Sequence, residues 1–289
     1  MTDGTTLARG EPISDRRQAD RRRGDRRSRR VRLAAVGDFH CGEEDAGRYR
    51  ELFAKVNDEA DALLLAGDLT RRGTPAEMKV VVGELADVKV PMLAVLGNHD
   101  HESGHVAEAL AILRERGVHM LDGEPYELNE WVGVAGVKGF MGGFGRYTLT
   151  AFGEAETKAF VGATLEEVQR LEFALRRLST PIRVVLMHYS PVLDTVRGEP
   201  EQILPFLGND RLVEPIDRFR PAVVFHGHAH HGTFRGATPG GVPVFNVSHV
   251  LLKSEGVGEM YFVYEIPLPA EDAAEEEEEE ARAATPAGD

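Results

Sequence analysis

Three short apolar runs, each broken off at a glycine followed by metal-binding residue types, constrain this chain more than any other feature. Val31 to Val36 ends at Gly37-Asp38-Phe39-His40, Ala62 to Ala66 at Gly67-Asp68, and Pro91 to Leu96 at Gly97-Asn98-His99-Asp100. Apolar runs of this length without polar alternation read as strands buried on both faces, which need a layer of helix or sheet on either side. Amphipathic stretches supply the helices. They are expected at Ala46 to Glu59, Pro75 to Val88 and Ser103 to Arg116, the second with Thr74 as N-cap and Pro75 at the first helical position.

A second series of the same kind follows. Strands are expected at Glu127 to Val137, Arg183 to Met187, Ala222 to Phe225, Val242 to Val247 and Met260 to Ile266, with helices at Leu165 to Leu178 and Arg211 to Arg218. Two such halves predict an α/β fold: a four-layer α/β/β/α sandwich of two mixed sheets, forming one domain over residues 31–270.

In open α/β sheets, ligands sit beyond the carboxyl ends of the strands. Five predicted strand ends carry metal-ligand residue types: Asp38 with His40, Asp68, Asn98 with His99, His188, and His228 with His230. Residues two apart at a strand end point the same way, so Asp38 and His40 can reach one ion, as can His228 and His230. Carboxylate, carboxamide and imidazole together suit manganese, iron or zinc, whereas an all-oxygen set would suit magnesium or calcium. One ion cannot use so many ligands. Two can, if a carboxylate bridges them at about 3.5 to 4 Å.

In chain order, GDFH, GDLTRRG, GNHD, MHYSP and GHAH resemble the five blocks of the calcineurin-like metallophosphoesterase superfamily, running from Asp38 to His230. The resemblance implies that Asp38, His40, Asp68 and His230 bind a first metal and that Asp68, Asn98, His188 and His228 bind a second, with Asp68 as the bridge. It also implies that His99 contacts the phosphate and protonates the leaving oxygen, and that Asp100 orients its imidazole. The reaction so implied is hydrolysis of a phosphate ester by a hydroxide that the two cations make available near neutral pH. Block spacing and the D-x-H opening look most like the bacterial phosphodiesterase branch, which makes a phosphodiester, including a cyclic nucleotide, the expected substrate. A phosphomonoesterase or a protein or nucleotide phosphatase is the alternative. No G-x-S-x-G elbow, P-loop or H-E-x-x-H motif points to another chemistry.

Other residues near the blocks receive plainer readings. His226, His231, His101 and His105 are expected in supporting or surface roles, and Cys41 as a small buried thiol. Gly136 to Phe160, with Phe140, Phe144, Tyr147 and Phe152, is expected to be a packed surface loop, a flap over the site being the rival reading. Arg71, Arg72 and Arg197 are candidates for phosphate contact, weighed against solvated surface positions.

Charge separates the ends from the body. The formal net charge is -14, yet the first thirty residues hold ten Arg against five acids, and the stretch from Glu271 holds nine acids against Arg282. An acidic body disfavours duplex nucleic acid, since counterion release needs clustered cations. The Arg-rich arm over 1–30 and the acidic tail over 271–289 are expected to be disordered, the arm being able to contact anionic partners. The single cysteine excludes an intrachain disulfide, and no apolar stretch is long enough for a membrane span or a secretory leader. A cytoplasmic enzyme acting on a small phosphate ester is therefore expected. A scaffold that tethers partners through its charged tails is the reading of a different class, and the intact ligand set argues against it.

Overall fold

The strands form two sheets whose faces are both covered. A computed structural model describes residues 30–269. In chain order the strands are β1 (Arg30–Val36), β2 (Ala62–Ala66), β3 (Met92–Val95), β4 (Val118–Met120), β5 (Tyr126–Glu127), β6 (Val132–Val137), β7 (Ile182–Met187), β8 (Val223–His226), β9 (Arg235–Ala237), β10 (Pro243–Asn246) and β11 (Phe262–Pro267). The first sheet has the order β11-β1-β2-β3-β4 and the second β5-β6-β7-β8-β10-β9. Strands β1 to β4 pair in parallel, as do β6, β7, β8 and β10, while β5 and β9 are antiparallel edges of the second sheet. Residues Val31–Ile266 make up one compact unit.

Side-chain parity explains the layers. Ala34, Val36, Leu63, Leu65 and Ala94 pack with Phe53, Met78, Val81 and Leu113 of the helices over the first sheet. Ala135, Val137, Val185, Met187 and Val224 pack with Leu171, Leu175 and Ile216 of the helices over the second. The alternate residues, Leu33, Ala35, Leu64 and Leu93 in one sheet and Val184, Leu186 and Phe225 in the other, are also fully buried, and β2 and β3 contact β6 and β7. The architecture is the expected helix, sheet, sheet, helix sandwich. Burial on both faces is why Ala62–Ala66 shows no polar alternation.

Local chemistry sets several boundaries the sequence pattern misses. The helix expected from Ala46 begins at Arg50, because the buried Glu84 carboxylate accepts the backbone N–H groups of Gly47 and Tyr49 and ends the preceding turn there. The expected strand over 127–137 splits into β5 and β6 at a turn in which Asn129 Oδ1 accepts the N–H groups of Trp131 and Val132, both at 2.8 Å. The helix expected from Leu165 starts at Ala155, its first turns offering the core only Val161 and Thr164. Thr74 caps the helix Pro75–Glu84 as expected, with Glu77 closing the reciprocal pair of hydrogen bonds. Helix His249–Ser254 and strands β4 and β9 were not foreseen.

The Arg-rich arm and the acidic tail lie outside the described residues, apart from Arg30. Among the described residues no helix is long and apolar enough to cross a membrane.

Candidate metal centre

Parallel pairing in register brings the carboxyl ends of β1, β2 and β3 side by side, and those of β7 and β8 likewise, with the polar residues beyond them meeting across the two sheets. Among the described residues five non-glycine positions have positive φ, and four are here: Asp38 (56°), His40 (42°), Asp68 (49°) and His228 (72°). The fifth, Arg220, caps the helix Val213–Phe219. Backbone held in this sparsely populated region persists only where its surroundings determine it, and such positions gather at functional sites. Hydrogen bonds from Asp38 N to Gly67 O (3.0 Å) and from His40 N to Asp68 O (3.1 Å) are part of that constraint.

Three groups of side chains converge. Asp38, His40 and His230 place ligand atoms within 4.8 Å of one another, as do Asp68, His188 and His228, and a third set, His40, Asp68 and His99, links the two. His40 Nε2 lies 3.2 Å from His230 Nε2, which lies 3.3 Å from Asp38 Oδ1. His188 Nε2 lies 2.9 Å from Asn98 Oδ1 and 3.5 Å from Asp68 Oδ1, while Asp68 Oδ2 turns to His40 Nε2 and His99 Nε2, each at 4.0 Å. One Asp68 oxygen thus faces each group.

Neighbouring carbonyls choose the free nitrogen of each ring. His188 Nδ1 donates to Ala66 O (2.9 Å), His228 Nε2 to Phe206 O (3.2 Å) and His99 Nδ1 to Arg71 O (2.8 Å), leaving the other nitrogen of each as an acceptor. Glycine makes the approach possible. A Cβ at Gly97 would collide with the carboxylate and backbone nitrogen of Asp68, and one at Gly227 with the carboxylate of Asp38, so the glycines before Asn98 and His228 clear room for a ligand from the neighbouring strand.

The electrostatics call for a cation. Asp38 and Asp68 are each 1% exposed, and their ion-pair partners among the described residues are all histidines. Burial, followed by the charges of Asp38 and Asp100, pushes the Asp68 carboxyl up to about 9. Burial also acts upward on Asp38, but the hydrogen bond from His230 and the nearby histidines outweigh it and hold that group well below the usual carboxylate range. His230 is raised by the same bond, whereas burial pushes His40 down to about 4 and His188 well below its ordinary value. Buried acids facing imidazoles, with no lysine or arginine paired to them among the described residues, are a poor arrangement for protein alone and a good one around transition-metal ions. The residues present therefore fit two such ions.

Asp100 departs from the role expected for it. Its carboxylate accepts from Gly97 N (2.9 Å), Leu69 N (3.3 Å), Thr70 N (2.9 Å) and Thr70 Oγ1 (2.6 Å), tying the turns after β2 and β3 together. The group that orients the His99 ring is instead the Arg71 carbonyl, with Glu102 3.5 Å from Nδ1. Sequence reasoning missed both: a carbonyl leaves no mark in a motif.

The remaining candidates fall into place. His226 is fully buried, bonded to Thr195 Oγ1 and to Gly227 O, each at 2.7 Å, and so steadies the backbone ahead of His228. Cys41 is buried, its thiol pushed up by burial to about 12. The Arg71 guanidinium is engaged by Glu44 and Asp45, and Arg197 by Asp194. The loop after β6 is anchored rather than free: Thr148 Oγ1 and Gly145 N donate to Asp210, and Phe140 packs against Phe160 and Tyr189. Tyr189, unremarked in the sequence, packs on the His228 ring with centroids 4.4 Å apart.

Comparison with known proteins agrees with this geometry. The calcineurin-like phosphoesterase family model matches residues 31–232. A protein of Aquifex aeolicus (strain VF5), described as an uncharacterized metallophosphoesterase, is 30% identical over 111 residues, which are 37% of this chain and 42% of that protein's length. The crystal structure of phosphopantetheinyl hydrolase (PptH) from Mycobacterium tuberculosis superposes with a TM-score of 0.58 at 14% identity, covering 83% of this chain and 96% of that one. The match over residues 31–232, most of the two-sheet body, means that the chain belongs to the calcineurin-like phosphoesterase family.

Proposed function

We propose that this chain is a metal-dependent phosphoesterase whose substrate is a phosphodiester. The observation that carries the reading is Asp68, whose two oxygens face separate groups of ligand atoms. In this reading Asp38, His40, Asp68 and His230 hold one ion, and Asp68, Asn98, His188 and His228 hold the other. When bound, two such ions supply charge neutralisation at the phosphoryl oxygens and activation of a water.

The protein's own groups do the rest. His99 N donates to Asp68 Oδ1 at 2.8 Å and so fixes the bridging carboxylate, while its ring, 39% exposed, turns Nε2 toward the ligand cluster. With Nδ1–H held by the Arg71 carbonyl, Nε2 is the nitrogen that faces the leaving oxygen, and it gives a proton there from the doubly protonated ring. Tyr189 and the Phe206 carbonyl keep the His228 ring in one orientation. The diester preference comes from the D-x-H opening and block spacing, which resemble those of the bacterial phosphodiesterase branch.

The test is turnover of bis(p-nitrophenyl) phosphate, p-nitrophenyl phosphate and a cyclic nucleotide by protein loaded with manganese, iron or zinc. We expect the diester to be hydrolysed faster than the monoester and the activity to vanish in Asp68→Asn. Faster hydrolysis of the monoester would make the protein a phosphomonoesterase, and no turnover with any metal would favour a binding role.

A further inference from the structure

We propose that the cavity beside Asp38 and His40 receives a second phosphoryl group of the substrate, so that the preferred ester carries a further phosphate away from the bond that is broken. The inference rests on the phosphoesterase reading above and deepens it.

The cavity has a volume of about 330 Å³, and its wall includes Asp38, His40, Arg48, Arg71, His249 and Lys253. At about 30 Å³ per water it has room for more than a lone phosphate. Three cations on one wall are notable in a protein of formal charge -14. Two are held in place by a buried carboxylate: Asp45, 5% exposed, takes Arg48 Nη1 on Oδ1 at 2.6 Å and Arg71 Nη2 on Oδ2 at 3.2 Å. Asp45 thus keeps side by side two guanidinium groups that would otherwise repel, while most of the Arg48 fork has no hydrogen-bond partner among the described residues. Arg48 also lies over the Tyr49 ring at 5.2 Å, and Tyr49 packs edge-on against His249, which limits the freedom lost when a ligand binds.

The third cation, Lys253, is exposed on the short helix His249–Ser254 and has no ion-pair partner among the described residues. The buried Nδ1 of His249 likewise has no hydrogen-bond partner among the described residues. The opposite flank of the ligand cluster, at His228, is walled by Tyr189 and the Phe206 backbone, and its cation, Lys138, is stacked over the Tyr189 ring at 5.2 Å. A substrate with anionic groups at both ends of a short spacer matches this arrangement: one phosphate at the ligand cluster, the other against Lys253 and the open part of the Arg48 fork, Arg71 being engaged by Glu44 and Asp45. Guanidinium forks favour a phosphate oxyanion over a neutral hydroxyl.

The experiment compares two esters that differ only in the distal group: the p-nitrophenyl ester of thymidine 5′-phosphate and the same ester bearing a 3′-phosphate. For manganese-loaded protein we expect kcat/KM to be at least tenfold higher for the 3′-phosphorylated ester, mainly through KM, and the preference to shrink with added salt. Lys253→Glu should bring the ratio close to one, and Lys253→Arg should retain it. Calorimetric titration with thymidine 3′,5′-bisphosphate against thymidine 5′-monophosphate should show the same order without turnover. Hydrolysis of both esters with a ratio near one in the wild type, or a ratio unmoved by Lys253→Glu, would overturn the groove and leave the phosphoesterase standing. Failure to hydrolyse either ester with any metal would overturn both.

Discussion

The backbone N–H of His228 donates to both carboxylate oxygens of Asp38, at 3.0 and 2.8 Å, across the junction between two sheets that share no strand. Asp38 follows β1 and His228 follows β8, so one bond pattern docks the two halves and fixes the Asp38 carboxylate in place. Asp38→Asn keeps one acceptor for that N–H and Asp38→Ala keeps none. Both should lose one equivalent of metal by elemental analysis. In chelator, thermal melting should rank wild type above Asn above Ala, the last about 1–3 kcal/mol below wild type for the orphaned buried donor.

The raised Asp68 carboxyl makes the metal-free protein sensitive to alkali. Its ordinary value is 3.8 and its folded value about 9, so between them the folded state holds a proton the unfolded chain has released. That contribution is fully present below about 3.8 and is lost as pH rises toward 9. Histidines pushed down by burial, including His40 and His226 at about 4, run the opposite way only below about 6.5. From pH 7 to 9 the stability of wild type in chelator should therefore fall more steeply than that of Asp68→Asn, by about 1 kcal/mol per pH unit. Bound metal displaces that proton, so the stabilisation given by manganese should grow over the same range. Denaturant titrations at each pH read both slopes.

His99→Asn should separate catalysis from metal binding. The backbone N–H that holds Asp68 survives the substitution, so metal content should match wild type. Turnover should fall by about 10²–10⁴-fold for an alkyl ester, the usual range for losing a general acid. The deficit should narrow for p-nitrophenyl esters, whose leaving group needs no proton. An equal deficit for both would assign the ring another role.

Two glycine substitutions should have opposite signs. An alanine at Gly97 drives its Cβ into the carboxylate and backbone nitrogen of Asp68, so Gly97→Ala should lose metal and activity together. Gly83 sits in the helix Pro75–Glu84 with nothing near a new Cβ, and Gly83→Ala should add about 0.5–1 kcal/mol of stability with activity intact.

Asp100 is a structural clasp. Replacing it by alanine strands the N–H groups of Gly97, Leu69 and Thr70 in the interior, and should cost about 3 kcal/mol of stability. Activity should drop as well, through displacement of the turns that carry Asp68 and Asn98, and Asp100→Asn should recover part of both.

The sequence alone determined the layers and the gathering of metal-ligand residue types at one edge of the sheets. Apolar runs such as Ala62–Ala66 must be covered on both faces, and polar residues set immediately after parallel strands must gather at one edge, so Asp38, Asp68, Asn98, His188 and His230 were legible as a group. Long-range contacts decided the rest. That Glu84 starts a helix at Arg50, that Asp100 braces two turns while the Arg71 carbonyl aims His99, and that Asp45 sets Arg48 beside Arg71 all depend on atoms tens of residues apart. Left-handed backbone at Asp38, His40, Asp68 and His228 is likewise imposed by the packed sheets, because no local preference pays its conformational cost.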